Sequence, residues 1–239
     1  MATEDPSEIR KFEEMAHEWW EPEGKFKPLH QINPLRLGYI RQHLTGSPRG
    51  DMSNLRLLDI GCGGGILSEA LSQAKAEVVG IDRSERIIGI AKAHQRESHS
   101  NVDYRVQSVE ELSQQEPASF DGVMAMEVLE HVPDPELFLN HCAQLLKPGA
   151  PLFFATLNRT LRSYLLAIIG AEYVLQWLPK GTHQHEKFIR PSEIKRYLDR
   201  ANVTMVDLCG MSYHPLKREW SLGKDTSVNF LGYGTRLPL

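Results

Sequence analysis

Short apolar runs alternate with longer amphipathic segments along the middle of the chain, and this alternation restricts the fold more than any other feature. The apolar runs are RLLDI, EVVGID, VDYRV, FDGVMAM and PLFFATL. The segments between them have helical periodicity over about ten to twenty residues. Strand-length runs that alternate with helices are typical of βαβ units, whose strands form a parallel sheet. We therefore predict an α/β fold with a mostly parallel sheet and helices on both faces.

At 239 residues, the chain can bury one full hydrophobic core, and we predict a single domain over residues 1–239. Within it we distinguish an N-terminal helical cap at 1–50, a central core at 55–158, an amphipathic insertion at 159–190 and a segment at 191–239 that completes the sheet. That last segment contains two weaker strand candidates, VTMVDL and SVNFLGY.

Two helix starts are visible in the N-terminal cap. Asp5, Pro6 and Glu8 match an N-cap, a first-turn proline and a third-position glutamate, which predicts a helix to about residue 20. Asn33 and Pro34 repeat the cap-and-proline signal, which predicts a second helix to about residue 44.

Charge and cysteine content exclude several classes of function. The chain has 27 basic and 31 acidic side chains, and this formal charge of −4 leaves no basic excess for binding nucleic acid. Cys62, Cys142 and Cys209 are far apart and odd in number, which favours reduced thiols over a disulfide framework or a zinc site.

The first twenty residues match neither a signal peptide nor a transit peptide. The most apolar stretch, Tyr164 to Leu178, is too short to span a membrane. We therefore predict a cytoplasmic protein.

A glycine-rich loop joins the first apolar run to a helical segment in LLDIGCGGGILSEALSQA. Glycine lets a backbone turn sharply and approach a ligand, and the following helix offers free N–H groups to an anion. An NAD fingerprint requires a third glycine three places after the second, and Ile66 stands there. This weakens the prediction of an NAD-dependent oxidoreductase, which stays as the alternative.

The glycine-rich loop resembles the first motif of the class I S-adenosylmethionine-dependent methyltransferases. Asp59, Gly61, Gly63 and Gly65 match its pattern D-x-G-x-G-x-G. The resemblance implies that these residues bind S-adenosyl-L-methionine, the methyl donor. It also implies a Rossmann-like, seven-stranded sheet with N-terminal helices and a helical insertion after the fifth strand.

Three further residues are candidates for binding the same cofactor. Asp82 lies where an acidic side chain can accept hydrogen bonds from both ribose hydroxyls, although it could instead cap a helix. The segment VQSVEEL matches the part of the superfamily that borders the adenine, which makes Ser108 and Val109 candidates.

Longer stretches resemble one family, the ubiquinone-biosynthesis O-methyltransferases. They include HEWWEPEGKFKPLHQINPLRLGYI, MEVLEHVPDP, TLNRT and GAEYVLQWLPKGTH. The resemblance implies O-methylation of polyprenylated catechol or quinol precursors, at both O-methylation steps of the pathway. It assigns Arg36 to the methionyl carboxylate, which a guanidinium can bind with two hydrogen bonds, and Met126 to the adenosyl group.

The stretch MEVLEHVPDP places Glu127, Glu130 and His131 at i, i+3 and i+4, which is one face of a helical turn. The family resemblance assigns them a divalent cation, with magnesium favoured, whereas zinc and manganese stay open because magnesium rarely binds imidazole. A second interpretation makes His131 a general base without metal, and a third makes the trio a structural rim. We favour the metal, with His131 and Glu130 as the catalytic residues.

The insertion predicts contact with a membrane surface. A helix drawn through residues 159–178 has two apolar faces, one with Tyr164 and Leu175 and the other with Tyr173 and Trp177. Basic residues flank it, as on an interfacial helix, which indicates that the segment 159–180 binds anionic lipid at the inner membrane. The alternative is packing against the N-terminal helices or another subunit.

A complex of quinone-biosynthesis proteins is a further partner that the resemblance implies. A non-catalytic scaffold within that complex is the remaining alternative function.

Overall fold

One mixed β-sheet organises the computed structural model, which describes residues 6–164, 185–214, 217 and 219–238. The strand order is β3-β2-β1-β4-β5-β8-β6-β7. The strands are β1 Arg56–Ile60, β2 Glu77–Asp82, β3 Val102–Val106, β4 Gly122–Met126, β5 Pro151–Leu157, β6 Val203–His214, β7 Glu219–Gly223 and β8 Asn229–Arg236. Strands β1 to β5 pair in parallel, whereas β8, β6 and β7 pair antiparallel. The predicted α/β fold is confirmed.

The sheet has one strand more than the predicted seven. The additional strand, β7, contains EWSLG, a half-exposed and partly polar segment that lacks a buried-strand pattern. It forms because the long strand β6 extends beyond β8 and offers its edge, with Gly210 to His214 paired to Gly223 to Glu219. A pairing partner, rather than local propensity, therefore specifies this strand.

Helices cover both faces of the sheet, as predicted. They are α1 Pro6–Met15, α2 Lys27–Thr45, α3 Ile66–Gln73, α4 Glu85–Ser98, α5 Val109–Gln115, α6 Pro135–Leu145, the single turn α7 Leu161–Ser163 and α8 Pro191–Arg200. Helices α5, α6 and α8 pack on one face, and α2, α3 and α4 pack on the other. A third apolar cluster joins α1 to the starts of α3 and α4 through Met15, Trp19 and Phe26.

The second N-terminal helix begins earlier than predicted. Helix α2 starts at Lys27, with Pro28 in its first turn, and Pro34 lies inside it. Asn33 therefore does not cap the helix, and its side-chain amide instead donates to the backbone oxygen of Ile66 at 3.0 Å. Asn33 therefore joins two distant segments, whereas the sequence pattern indicated a local helix cap.

The described ranges contain no helix that is long and apolar enough to cross a membrane. Most of the predicted amphipathic helix 159–178 lies outside the described residues, including Tyr173, Trp177 and one complete apolar face.

Candidate active site

A cavity of about 960 Å³ opens where β1, β2 and β4 end, at the carboxyl edge of the parallel strands. Its wall combines the glycine loop, the start of α2, the segment after β4 and residues of α1. Ligands of open α/β sheets bind at this edge. The volume is at the upper end of the usual range for small-molecule sites, so it can hold a cofactor and part of a second ligand.

The backbone of the glycine loop needs its glycines. Gly61, Gly63 and Gly65 have φ values of +65°, +55° and +92°, which L-residues rarely adopt. A Cβ on Gly63 would lie 2.1 Å from the ring of Trp19, and one on Gly65 would lie 2.0 Å from the hydroxyl of Tyr104. Gly61 and Gly63 line the cavity, whereas Gly65 is not among the lining residues and serves the packing of α3 on β3.

Asp82 ends β2, lines the cavity and lies beside the glycine loop. Its carboxylate accepts from the backbone N–H of Gly63 at 3.2 Å and from that of Ser84 at 2.9 Å. Burial raises the pKa of Asp82, and the backbone hydrogen bonds oppose this shift. The side chain that was predicted to bind ribose therefore also holds the loop in place. Ser84, not Asp82, caps α4.

Asp59 on β1 has a structural partner on α3. The Ser68 hydroxyl donates to its Oδ2 at 2.6 Å. Burial raises the pKa of Asp59 to about 6, and the hydrogen bond from Ser68 opposes this shift. Although Asp59 lines the cavity, its visible role is to tie the end of β1 to α3.

The adenine candidates lie at the start of α5. Ser108 caps α5 by accepting from the backbone N–H of Glu111, and Val109 is buried; both line the cavity. Met126 is 8% exposed and lines the cavity at the end of β4. The structure therefore brings these three predicted residues to one site.

Arg36 is buried and reaches the segment after β4. Its Nη2 donates to Oε1 of Glu127 at 2.6 Å, while its Nε is buried and has no partner among the described residues. Arg36 lines the cavity, and a guanidinium can hydrogen-bond the carboxylate of the methionyl group. The residues present therefore fit S-adenosylmethionine.

The turn after β4 differs from the predicted helix. Glu127 has φ +56°, and its N–H still bonds to the backbone oxygen of Ala155 on β5. Only Leu129 to His131 form a short 3-10 turn. Glu127 therefore lies outside this turn, and the trio does not share one helical face.

Each member of the trio has its own partner. Glu127 pairs with Arg36, and Glu130 accepts from the Thr156 hydroxyl at 2.8 Å. Burial, followed by the negative charge of Glu127, raises the pKa of Glu130 well above its usual range. Nδ1 of His131 lies 3.0 Å from Oε2 of Glu8 on α1.

This donor set does not fit a divalent cation. Each of the three side chains is held by a different neighbour, Arg36, Thr156 or Glu8, rather than by a common centre. Within residues 6–164 and 185–238, apart from the undescribed positions, no group of three or more His, Cys, Asp or Glu side chains could hold a metal ion. The geometry thus gives the metal prediction no support.

Three contributors to the site were missed by sequence reasoning. Glu8 reaches His131 across 123 positions, Asn33 holds the residue after the glycine loop, and Trp19 packs on that loop. The Asn33–Pro34 pair was noticed but was interpreted as a cap. No local pattern marks the other two, because their partners lie in distant segments.

Sequence comparisons agree with the site. A family model described as a methyltransferase domain matches residues 35–208. A ubiquinone biosynthesis O-methyltransferase of Dechloromonas aromatica (strain RCB) is 52% identical over 231 residues, which cover 97% of this chain and 97% of that protein. A protein of the same name from Azoarcus sp. (strain BH72) is 48% identical over 233 residues, covering 98% and 97%.

Solved structures of methyltransferases share the fold. A magnesium protoporphyrin IX methyltransferase of Synechocystis PCC 6803 with bound SAH has a TM-score of 0.60 at 20% identity, covering 95% of this chain and 87% of that chain. A SAM-dependent methyltransferase of Thermotoga maritima has a TM-score of 0.65 at 19% identity, covering 96% and 99%. The predicted class I methyltransferase fold is confirmed.

Proposed function

Because the chain belongs to the family of ubiquinone biosynthesis O-methyltransferases, we propose that it transfers a methyl group from S-adenosylmethionine to a catechol-type hydroxyl of polyprenylated ubiquinone precursors, at both O-methylation steps. The observation that carries the proposal is one cavity that joins the glycine loop to His131. Neither a nicotinamide-dependent oxidoreductase nor a non-catalytic scaffold gains support from the relatives.

The proposed cofactor site follows the carboxyl edge of the sheet. Arg36 donates to the methionyl carboxylate, Gly61 and Gly63 allow close approach of the backbone, and Asp82 accepts from the ribose hydroxyls. Ser108, Val109 and Met126 border the adenosyl group. Asp59 and Gly65 hold the shape of the loop through Ser68 and Tyr104.

S-adenosylmethionine supplies a methyl group on a positively charged sulfur, and transfer needs an aligned oxygen nucleophile. A phenol has a pKa near 10 and is mostly protonated at neutral pH, so a base increases its reactivity. The Nδ1–H of His131 donates to Glu8, which leaves Nε2 to accept the phenol proton. Glu130 lines the same cavity, where burial raises the pKa of its carboxyl, and this group can hydrogen-bond a catechol oxygen.

No step of this mechanism passes through a metal ion, since the donor set does not fit one. The divalent cation that the family resemblance implies is therefore an alternative to the proposed base. A chelation experiment separates the two and is described in the Discussion.

One turnover assay tests the proposed function. The full chain is mixed with methyl-labelled S-adenosylmethionine and a short-tailed quinol that lacks one O-methyl group. We expect label in the quinol product, and the same quinol with that hydroxyl already methylated should accept none. Tight cofactor binding without transfer to any catechol would contradict the proposal.

Asp82→Ala should weaken S-adenosylmethionine binding by about 1–3 kcal/mol, because both ribose hydroxyls lose a charged acceptor. The dissociation constant can be measured by calorimetry. Asp82→Asn is the matched variant, since it keeps one acceptor oxygen and should lose less. An unchanged dissociation constant in Asp82→Ala would remove this residue from the site.

The polyprenyl tail of the proposed substrate resides in the bilayer, so the proposal includes peripheral binding to the inner membrane through the segment 159–180. Replacing Tyr173 and Trp177 together by serine should reduce cosedimentation with anionic liposomes, with cofactor affinity kept. The control replaces Val206 and Leu237, which are 54% and 49% exposed, because it removes apolar surface elsewhere. Equal liposome binding by all three proteins would refute the membrane contact.

A further inference from the structure

The cavity extends beyond the proposed cofactor site along the edge of the sheet. Its lining residues come from β2, β1, β4, β5, β8, β6 and β7, which are consecutive in the strand order. Neighbouring strands lie about 4.8 Å apart, so the cavity spans on the order of 25–30 Å. The glycine loop and Asp82 occupy the half at β1 and β2, and His131 follows β4. The half at β5, β8, β6 and β7 has no ligand assigned to it by the proposed cofactor site.

Apolar side chains from α2 and from the β6–β7 hairpin line this second half. The hairpin reaches it because β6 continues to His214, past Gly210, where its pairing with β8 ends. The side chains that line the cavity here are Leu29 and Ile32 of α2, Leu157 at the end of β5, Met211 and Tyr213 of β6 and Trp220 of β7. We call these six residues the apolar arm.

Polar groups that line the same half are paired within the protein. Nη1 of Arg162 donates to Asp225 at 2.7 Å, and Oδ1 of Asn229 accepts from the backbone N–H of Met211 at 3.2 Å. The indole N–H of Trp220 donates to Gln31 on α2 at 3.3 Å. Since these polar groups bond to one another or to the backbone, the apolar arm offers a ligand apolar contact rather than hydrogen bonds.

We propose that the apolar arm binds the first isoprene units of the polyprenyl tail while the catechol ring lies at His131. This inference rests on the proposed function, which supplies a substrate with a polar ring and an apolar tail. Such a substrate needs a polar and an apolar compartment side by side, and His131 and the apolar arm line one continuous cavity. Arg162, at the start of the insertion, lines the same half, so a tail in the arm comes close to the segment proposed to bind the membrane.

The test measures kcat/KM for quinols that differ only in the tail, which is a methyl group, one isoprene unit or two. Tails this short keep the quinols in water, so membrane binding does not enter the comparison. For the wild-type chain, kcat/KM should rise by about 10-fold or more from the methyl to the two-unit quinol, because the tail leaves water on binding. Trp220→Ala should reduce this ratio by about 10-fold, with the affinity for S-adenosylhomocysteine kept.

Two further variants complete the test. Leu29→Ala removes a contact from the α2 side and should reduce the ratio in the same direction, which does not depend on the hairpin variant folding. The control is Leu222→Ala, because Leu222 lies on the same strand as Trp220 and packs in the same apolar cluster but does not line the cavity. Its ratio should equal that of the wild type.

A photoreactive group on the first isoprene unit locates the tail in the wild-type chain. Mass spectrometry should find the label on the β6–β7 hairpin or at the start of α2. Label confined to residues 165–184 would overturn the inference, as would equal kcat/KM of the wild type for all three quinols. An equal loss for all three in Trp220→Ala would also overturn it, because Trp220 would then shape the whole site. Failure of the wild type to methylate any quinol would refute the proposed function itself, which is a separate outcome.

Discussion

His131→Ala is expected to lower kcat by about 10²- to 10⁴-fold, the usual contribution of a positioned general base. The affinity for S-adenosylhomocysteine should stay close to wild type, because His131 is not among the residues proposed to bind the cofactor. Single-turnover transfer of labelled methyl to a short-tailed quinol measures the chemical step, and calorimetry measures binding. Normal turnover by a folded His131→Ala protein would reduce the trio to a structural rim.

Chelation distinguishes this base from the metal interpretation. Wild-type turnover should survive treatment with a chelator in metal-free buffer, because the trio does not converge on a cation position. Glu130→Gln provides the matched variant, because it keeps the shape of the side chain and one acceptor oxygen but cannot supply the carboxylate that a cation would need. It should keep kcat within about tenfold of wild type. Two results together would establish the cation and overturn the base. Chelation would remove the activity and added divalent metal would restore it, and Glu130→Gln would have no activity.

The predictable part of the fold is the part with local patterns. Strands β1, β2, β3 and β5 begin and end where the apolar runs do. The inner strands β1, β2 and β5 are mostly buried between helix layers, whereas the edge strand β3 alternates between buried Val102 and Tyr104 and exposed Asp103. Strand β7 could not be found in this way. It owes its existence to the free edge of β6, which no property of its own five residues reveals.

The candidate site was predictable where backbone conformation demands a residue type. Gly61 and Gly63 have positive φ values and line the cavity, so the glycine pattern predicted a turn that only glycine adopts easily. The trio after β4 was placed on a helical face because its spacing is helical. Glu127 departs from that expectation, since the chain completes its hydrogen bond to β5 before it turns. Spacing alone does not distinguish a helix from a strand end followed by a tight turn.

Contacts between distant segments explain the part of the site that the sequence does not predict. The position of Glu8 predicts only a helix start, yet its carboxylate joins α1 to His131 and to Lys187, which lies near the end of the insertion. Charged residues at a helix start are common, and nothing nearby in the chain distinguishes one that is buried against an imidazole 123 positions away.

Replacing Glu8 by glutamine should destabilise the folded chain by about 3 kcal/mol at pH 7. Burial alone would raise the pKa of Glu8, but hydrogen bonds from His131, Lys187 and Lys11 and the charge of His131 lower it from 4.5 to about 2. A carboxyl whose pKa is lower in the folded state stabilises the fold above its unfolded pKa of 4.5. That contribution is lost as the pH falls from 4.5 towards 2. Urea unfolding followed by tryptophan fluorescence measures the difference.

The wild-type chain and Glu8→Gln should therefore differ most at neutral pH, and the difference should shrink as the pH falls from 4.5 towards 2, because a protonated Glu8 resembles glutamine. Glu14→Gln is the control, since Glu14 lies exposed on the same helix and its replacement should change stability by less than about 0.5 kcal/mol. Equal stability of Glu8→Gln and wild type at pH 7 would show that burial of the carboxylate costs as much as its hydrogen bonds contribute. A difference that persists unchanged to pH 3 would assign the loss to altered packing of α1 rather than to charge.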